Sequence, residues 1–314
     1  MKPKIIFFGT PNFAVEVLKE IHNGEFEIQA VITSPDKKSG RGRKVNSSPV
    51  KKFCLGKKIK LYQPTNLKEK SFISILKSYK SDLYIVVAFR MIPETVWSIP
   101  KIGTFNLHAS LLPEYRGAAP INWVLINQES FTGLTTFMID NKIDTGKILL
   151  QSKYKIKDGE TYDTLHDNLL DIGKKLVLDT IQILYQKNFR SIEQINNPKN
   201  RIAPKLTKSN TKIRWNNSLK EIVAFINGLN SYPGAWSFIS QNDKKGTFKI
   251  YESDYEYTSH KFTNNKLLSY KKTLKIAHQE GFLIIKNLKI SNKKRMNTNE
   301  LLNGHTFESE VFVS

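Results

Sequence analysis

Cysteine is almost missing from this chain of 314 residues: Cys54 is the only one. A single thiol can make neither an internal disulfide nor a multi-cysteine zinc site, and a reducing cytoplasm is the expected setting. Long apolar runs are missing too. The longest, around Leu83 to Phe89, falls far short of the ~20 residues that a bilayer-spanning helix needs, so no membrane association is expected. Met1 leads almost directly into Ile5-Ile6-Phe7-Phe8, without the charged, apolar and small-residue regions of a secretory leader. Secretion is therefore not expected. Glycine is scarce where a nucleotide would demand it. The segment Gly9-Thr10-Pro11-Asn12-Phe13 offers one glycine where a dinucleotide site needs G-x-G-x-x-G, and there is no Walker lysine loop. Both observations disfavour NAD-dependent and P-loop chemistry.

Acid is absent from three stretches. They are Lys37 to Lys60 with 10 basic residues, Tyr257 to Gln279 with 5, and Lys286 to Asn299 with 5. The chain as a whole carries 49 Lys and Arg against 28 Asp and Glu, a net charge of +21. Residues 1–180 hold 27 basic and 18 acidic groups, and residues 181–314 hold 22 and 10, so the excess is denser in the second part. A lysine-rich solvated surface would give the same total. Acid-free blocks that recur along a folded chain fit a track for a polyanion better. With 39% hydrophobic and 11% aromatic residues the chain can bury a real core, and its length suggests two domains.

Through residue 188 the sequence alternates strand-like and helix-like segments. Lys4 to Gly9 reads as a strand. A helix follows from Thr10-Pro11, with Thr10 as the expected cap, and stops at Asn23-Gly24. Further strands are expected at Glu27 to Thr33, Ile59 to Tyr62, Leu83 to Ala88, Thr104 to Ala109 and Leu134 to Ile139. A long helix after Thr161 carries Tyr162, Leu165, Leu169, Ile172, Leu176 and Ile183 on one stripe. Its neighbour His166 is expected to be packed or on the surface. This alternation predicts an α/β fold, a doubly wound and mostly parallel sheet of Rossmann-like type, over residues 1–188. Residues 189–206 lose periodicity and read as a linker. Over residues 207–314, Ser218 with Glu221 forms a capping-box pattern before a helix. Short strand-like runs then predict a smaller β-barrel, OB-like in kind.

One strand carries chemistry. In Thr104-Phe105-Asn106-Leu107-His108-Ala109, residues two apart share a face, so Asn106 and His108 point together while Phe105 and Leu107 point away. They sit at the C-terminal end of the strand, where α/β folds place ligands. A carboxylate partner is available in Asp144-Thr145-Gly146, although such a tripeptide alone could simply cap a turn. Asp-Thr-Gly also marks aspartic proteases, but no second copy is present. Asn, His and Asp together could run an acyl transfer, with an oxyanion donor, an acid/base and an orienting carboxylate. With no Ser or Cys nucleophile elbow, direct transfer is favoured over an acyl-enzyme.

The set Asn106-x-His108, Ser110-Leu111-Leu112-Pro113, Tyr115-Arg116-Gly117-Ala118-Ala119-Pro120-Ile121 and Asp144-Thr145-Gly146 resembles the formyltransferases that use 10-formyltetrahydrofolate. Phe8-Gly9-Thr10-Pro11-x-Phe13, the loop from Ser34-Pro35-Asp36 to Ser48-Pro49-Val50-Lys51, and Tyr232-Pro233-Gly234-Ala235-Trp236 extend the resemblance along the chain. It implies that Asn106, His108 and Asp144 are catalytic, with Asp144 orienting His108. It implies that Ser110, Leu111, Leu112 and Pro113 line the folate site, and that 10-formyltetrahydrofolate is the co-substrate, leaving as tetrahydrofolate, with no metal. The implied acceptor is initiator methionyl-tRNA, gripped by Arg41, Arg43 and Lys44 of the basic loop and by the basic C-terminal barrel. A small amine, a purine precursor or an amino-sugar nucleotide, is the alternative acceptor. A monomer is expected. The sequence departs from the family after the fourth strand, where Ala-Tyr-Gly is replaced by Ala88-Phe89-Arg90 and the segment is one residue shorter.

Overall fold

A computed structural model describes residues 3–24, 26–39, 44–186, 189–195, 197–241 and 244–314. The chain divides into two compact units. The first comprises residues 1–117, 132–154 and 167–202, and the second 118–131, 155–166 and 203–314.

The first unit is built on a seven-stranded sheet. Its order is Ile148–Lys155, Phe131–Met138, Gly103–His108, Leu83–Val87, Lys4–Gly9, Glu27–Ile32 and Leu61–Tyr62. From Leu61–Tyr62 through to Gly103–His108 every pairing is parallel. Phe131–Met138 then runs antiparallel to Gly103–His108. The central strands Lys4–Gly9 and Leu83–Val87 are buried almost throughout, as strands covered on both faces must be. The helix Asn12–Asn23 buries Phe13, Ala14, Val17, Leu18 and Ile21, the spacing of one helical face. Its entry differs from expectation. Pro11 occupies the N-cap and no side chain caps the helix; the Thr10 hydroxyl instead bonds the Ser34 hydroxyl at 3.0 Å. Gly9 has to be glycine, because a Cβ there would stand 2.6 Å from the Ala14 Cβ. The single glycine of the first loop thus serves tight strand-to-helix packing.

The second unit carries an antiparallel sheet that nearly closes into a barrel. The path runs Leu267–Tyr270, Thr273–His278, Gly281–Ile290, Lys244–Tyr257, Ala235–Gln241, Val311–Val313. Its two ends meet: Lys266 bridges Phe312, and the Val313 N–H donates to the Asn265 carbonyl at 2.9 Å. The helix Leu219–Leu229 starts with the expected capping box on Ser218 and Glu221. It packs Leu219, Ile222, Ile226 and Leu229 into a core with Ile250, Ile276, Leu283 and Ile285. Among the described residues, no helix is long and apolar enough to cross a membrane.

Candidate active site

The strand Gly103–His108 presents two faces. Phe105 and Leu107 are buried, and Leu107 lies on the long helix Tyr162–Tyr185 beside Gly173, where a Cβ would stand 3.2 Å from it. Asn106 and His108 therefore share the opposite face. His108 is buried, with its ring edge-on to Phe137 at 6.4 Å between centroids. Its Nε2 lies 2.8 Å from the Tyr115 carbonyl oxygen. A carbonyl only accepts, so Nε2 carries a proton and donates it there. Its Nδ1 faces Asp144 Oδ2 at 3.7 Å. Asn106 is half-buried, and its carboxamide makes no side-chain hydrogen bond among the described residues. The site thus has one imidazole held on both sides and one amide left with its donors available.

Asp144 is placed by its own backbone and by two neighbouring segments. Its φ is +55°, in the left-handed region that asparagine and aspartate tolerate better than most residues. Its Oδ2 also accepts the Gly117 N–H at 2.9 Å. Gly146 could carry no side chain, since a Cβ would meet the Met138 carbonyl. Asp140 accepts from the Thr145 hydroxyl at 2.8 Å, closing the turn from outside. One residue that sequence reasoning passed over sits behind this turn. Gln194 Nε2 donates to the carbonyls of Asp144 at 3.0 Å and Gly146 at 2.8 Å, and its Oε1 accepts from Arg116 Nη2 at 2.6 Å and Nε at 3.0 Å. An open pocket of about 390 Å³ lies beside it, lined by Arg116, Asp140, Asn141, Lys142, Thr145 and Gln194.

The segment Ser110 to Pro113 is anchored inward. The Ser110 hydroxyl donates to the Glu114 carbonyl at 2.6 Å, and the Ser110 carbonyl accepts from Thr135. Leu112 is buried with Phe137 and Ile148, and its N–H and C=O are taken by Thr135 and Gln151. Leu111 and Pro113 are half-buried, and the Leu112–Pro113 peptide is cis. Of the four, Leu111 and Pro113 are those with side-chain surface to offer a ligand.

The segment that departs from the family pattern borders the same strand end. Val86 pairs with Asn106 and Val87 with Leu107, so Ala88 emerges level with His108. Ala88 takes a φ of +46°, the conformation a glycine would adopt without steric cost. Phe89 turns back onto Phe8, 5.7 Å between centroids. Arg90 donates to the carbonyls of Thr65 and Pro64 at 2.9 and 2.5 Å. Met91 stands 74% exposed.

The basic loop rises from a short antiparallel pair, Lys37–Ser39 with Lys44–Asn46. Arg41 and Arg43 lie outside the described residues; Lys44 begins the returning strand. The base of the loop is tied by Asp36, whose carboxylate takes Lys51 Nζ at 2.6 Å and Gln63 Nε2 at 2.9 Å. The Lys51 hydrogen bond, with that of Gln63 behind it, holds the Asp36 carboxyl below its ordinary value of 3.8.

Known proteins resemble both parts of the chain. Residues 3–181 match the model of the formyl transferase family and residues 205–306 that of the formyl transferase C-terminal domain. A methionyl-tRNA formyltransferase of Flavobacterium johnsoniae is 47% identical over 312 residues, 99% of each chain. That of Bacteroides thetaiotaomicron is 44% identical over 306 residues, 96% of this chain and 95% of the relative. Among solved structures, the sugar 3N-formyltransferase WlaRD, in the presence of dTDP and 5-N-formyl-THF, superposes with a TM-score of 0.64 at 24% identity. The match covers 94% of this chain and all of that one. At that identity the likeness is one of fold.

Proposed function

The chain belongs to the formyl transferase family, and from that premise we propose that it formylates the amino group of methionine on initiator tRNA, as a methionyl-tRNA formyltransferase does. The co-substrate is of folate type, and in this reading it is 10-formyltetrahydrofolate, which leaves as tetrahydrofolate. The observation that carries the chemistry is the meeting of His108 and Asp144 at 3.7 Å, with the uncommitted Asn106 amide on the same strand face. The acceptor rests on full-length identity of up to 47% to relatives bearing that name.

The residues divide the work as follows. The methionine nitrogen forms a bond to the formyl carbon, the carrier nitrogen leaves, and the proton shed by the amine ends on the carrier. Asn106 donates its amide N–H to the oxygen on which negative charge develops. His108 donates a second hydrogen bond to that oxygen, its Nε2–H exchanging the Tyr115 carbonyl for it as substrate enters, and the amine proton reaches the carrier with the help of the imidazole, directly or through water. Asp144 faces Nδ1 and fixes the ring plane. Leu111 and Pro113 supply side-chain surface to the folate wall, and Ser110 and Leu112 hold that wall from behind. No metal is required in this reading, since the formyl group arrives activated.

Residues 1–188 form the catalytic part in this reading. Residues 189–206 join it to the 207–314 barrel, which grips tRNA, and the enzyme works as a cytoplasmic monomer. Arg41, Arg43 and Lys44 contact phosphates and bases near the acceptor end. Single-turnover transfer, with formylated folate and either initiator methionyl-tRNA, elongator methionyl-tRNA or a small amine, tests the whole reading. Fast transfer to the initiator species is expected. Transfer to the small amine with none to tRNA would overturn the acceptor, and a fully active, folded His108→Ala enzyme would overturn the chemistry.

A further inference from the structure

We propose that Gln194 is the positioning residue that holds Asp144 against His108. The inference rests on the catalytic reading above and deepens it.

A carboxamide has two donor hydrogens and an acceptor oxygen, and Gln194 uses all three on the site. Both donors go to backbone carbonyls two residues apart, those of Asp144 and Gly146. The first belongs to the peptide unit that follows Asp144 directly, and the second closes the Asp-Thr-Gly segment behind it. The acceptor oxygen takes the two nitrogens of the Arg116 fork. Arg116 lies between Tyr115, whose carbonyl receives the His108 proton, and Gly117, whose N–H donates to the Asp144 carboxylate. One side chain thus ties the segment that holds one edge of the imidazole to the segment that holds the other. Its own backbone is fixed two residues earlier, where Ile192 and Ile148 exchange both N–H···O bonds at 2.8 and 2.9 Å. At 3.7 Å the His108–Asp144 contact is longer than a hydrogen bond. Asp144 is therefore kept in place by its turn and by Gly117 rather than by the imidazole, and the turn is what Gln194 braces.

The experiment compares wild type, Gln194→Met, Gln194→Glu, Asp144→Asn and the double variant Asp144→Asn/Gln194→Met, each normalised to folded protein by thermal melting. Gln194→Met keeps the length and removes every hydrogen bond. Gln194→Glu keeps the acceptor for Arg116 and removes both donors. Displacing a reacting group by about 1 Å can cost ~100-fold. Single-turnover rates at saturating folate and tRNA are expected to fall about 10- to 100-fold in both Gln194 variants, with KM for either substrate within about threefold. Because the effect runs through Asp144, adding Gln194→Met to Asp144→Asn is expected to cost less than about threefold further, a strong departure from additivity. Three results would overturn the proposal: an unchanged single-turnover rate in folded Gln194→Met, a full second loss in the Asp144→Asn background, or a rise in tRNA KM at unchanged rate, which would make Gln194 a substrate contact on the neighbouring pocket. Wild-type protein that transfers no formyl group would instead fail the parent reading, so the two failures are distinguishable.

Discussion

Asn106 and His108 occupy the same strand face but differ in what they already hold. His108 is buried, hydrogen-bonded through Nε2 to the Tyr115 carbonyl and faced at Nδ1 by the Asp144 carboxylate, so replacing it disturbs packing as well as chemistry. Asn106 holds nothing internally, so its amide can be removed with little structural consequence. Asn106→Ala is expected to lower kcat by about 10²–10³, some 2.7–4 kcal/mol of oxyanion stabilisation, with Tm within a degree or two of wild type. Kinetics alongside a thermal melt checks both halves. These two residues are legible in the sequence alone, because the period of two in a strand assigns faces without reference to the rest of the chain. Asp144 is legible by type and tripeptide, although a turn-capping role explains it equally well until the fold sets His108 beside it. Gln194 is not legible. It lies in an aperiodic stretch, 50 residues from Asp144 and 78 from Arg116, and its value comes only from contacts that no local pattern encodes.

At the level of elements, the periodic interior is readable and the edges are not. The apolar strands announce themselves because they are buried over most of their length, and the stripe of the long helix because its apolar residues, Leu165, Leu169 and Leu176 buried among them, recur at helical spacing. Ile148–Lys155 gives no such signal because it is the outer strand of its sheet, half exposed, and alternates Ser, Lys and Tyr residues. The short closing strand Val311–Val313 and the helix Pro120–Ile126 give too few residues for a period to show. The Thr10 cap fails because a proline at position 11 and a tertiary bond to Ser34 settle the helix entry first. The base of the basic loop carries its own prediction. The Asp36 carboxyl is held below its ordinary value in the folded state, chiefly by Lys51. Its contribution to stability is therefore fully present above pH ~4 and is lost as pH falls through the depressed folded value. Asp36→Asn should remove that part of the acid sensitivity, read as a smaller drop in denaturant midpoint between pH 6 and pH 3 than in wild type.

For the molecule as a whole, the net charge of +21 belongs to the encounter with tRNA more than to the fold. Each phosphate neutralised releases about one counterion, so the logarithm of kcat/KM for tRNA should fall steeply with the logarithm of salt. The KM for folate should change little. Replacing Arg41 and Arg43 by Ala together is expected to lower that slope by about 1–2 and leave folate kinetics intact; an unchanged slope would remove the loop from the tRNA interface. The sheet of the second unit has a separate bearing on solution behaviour. Its path ends where it began, with the outermost strands joined through Lys266, Asn265, Phe312 and Val313. Ends tied together in this way leave a neighbouring molecule little open hem in the second unit along which to stitch another strand, so the pressure to keep edges apart falls on the outer strands of the first unit's sheet instead.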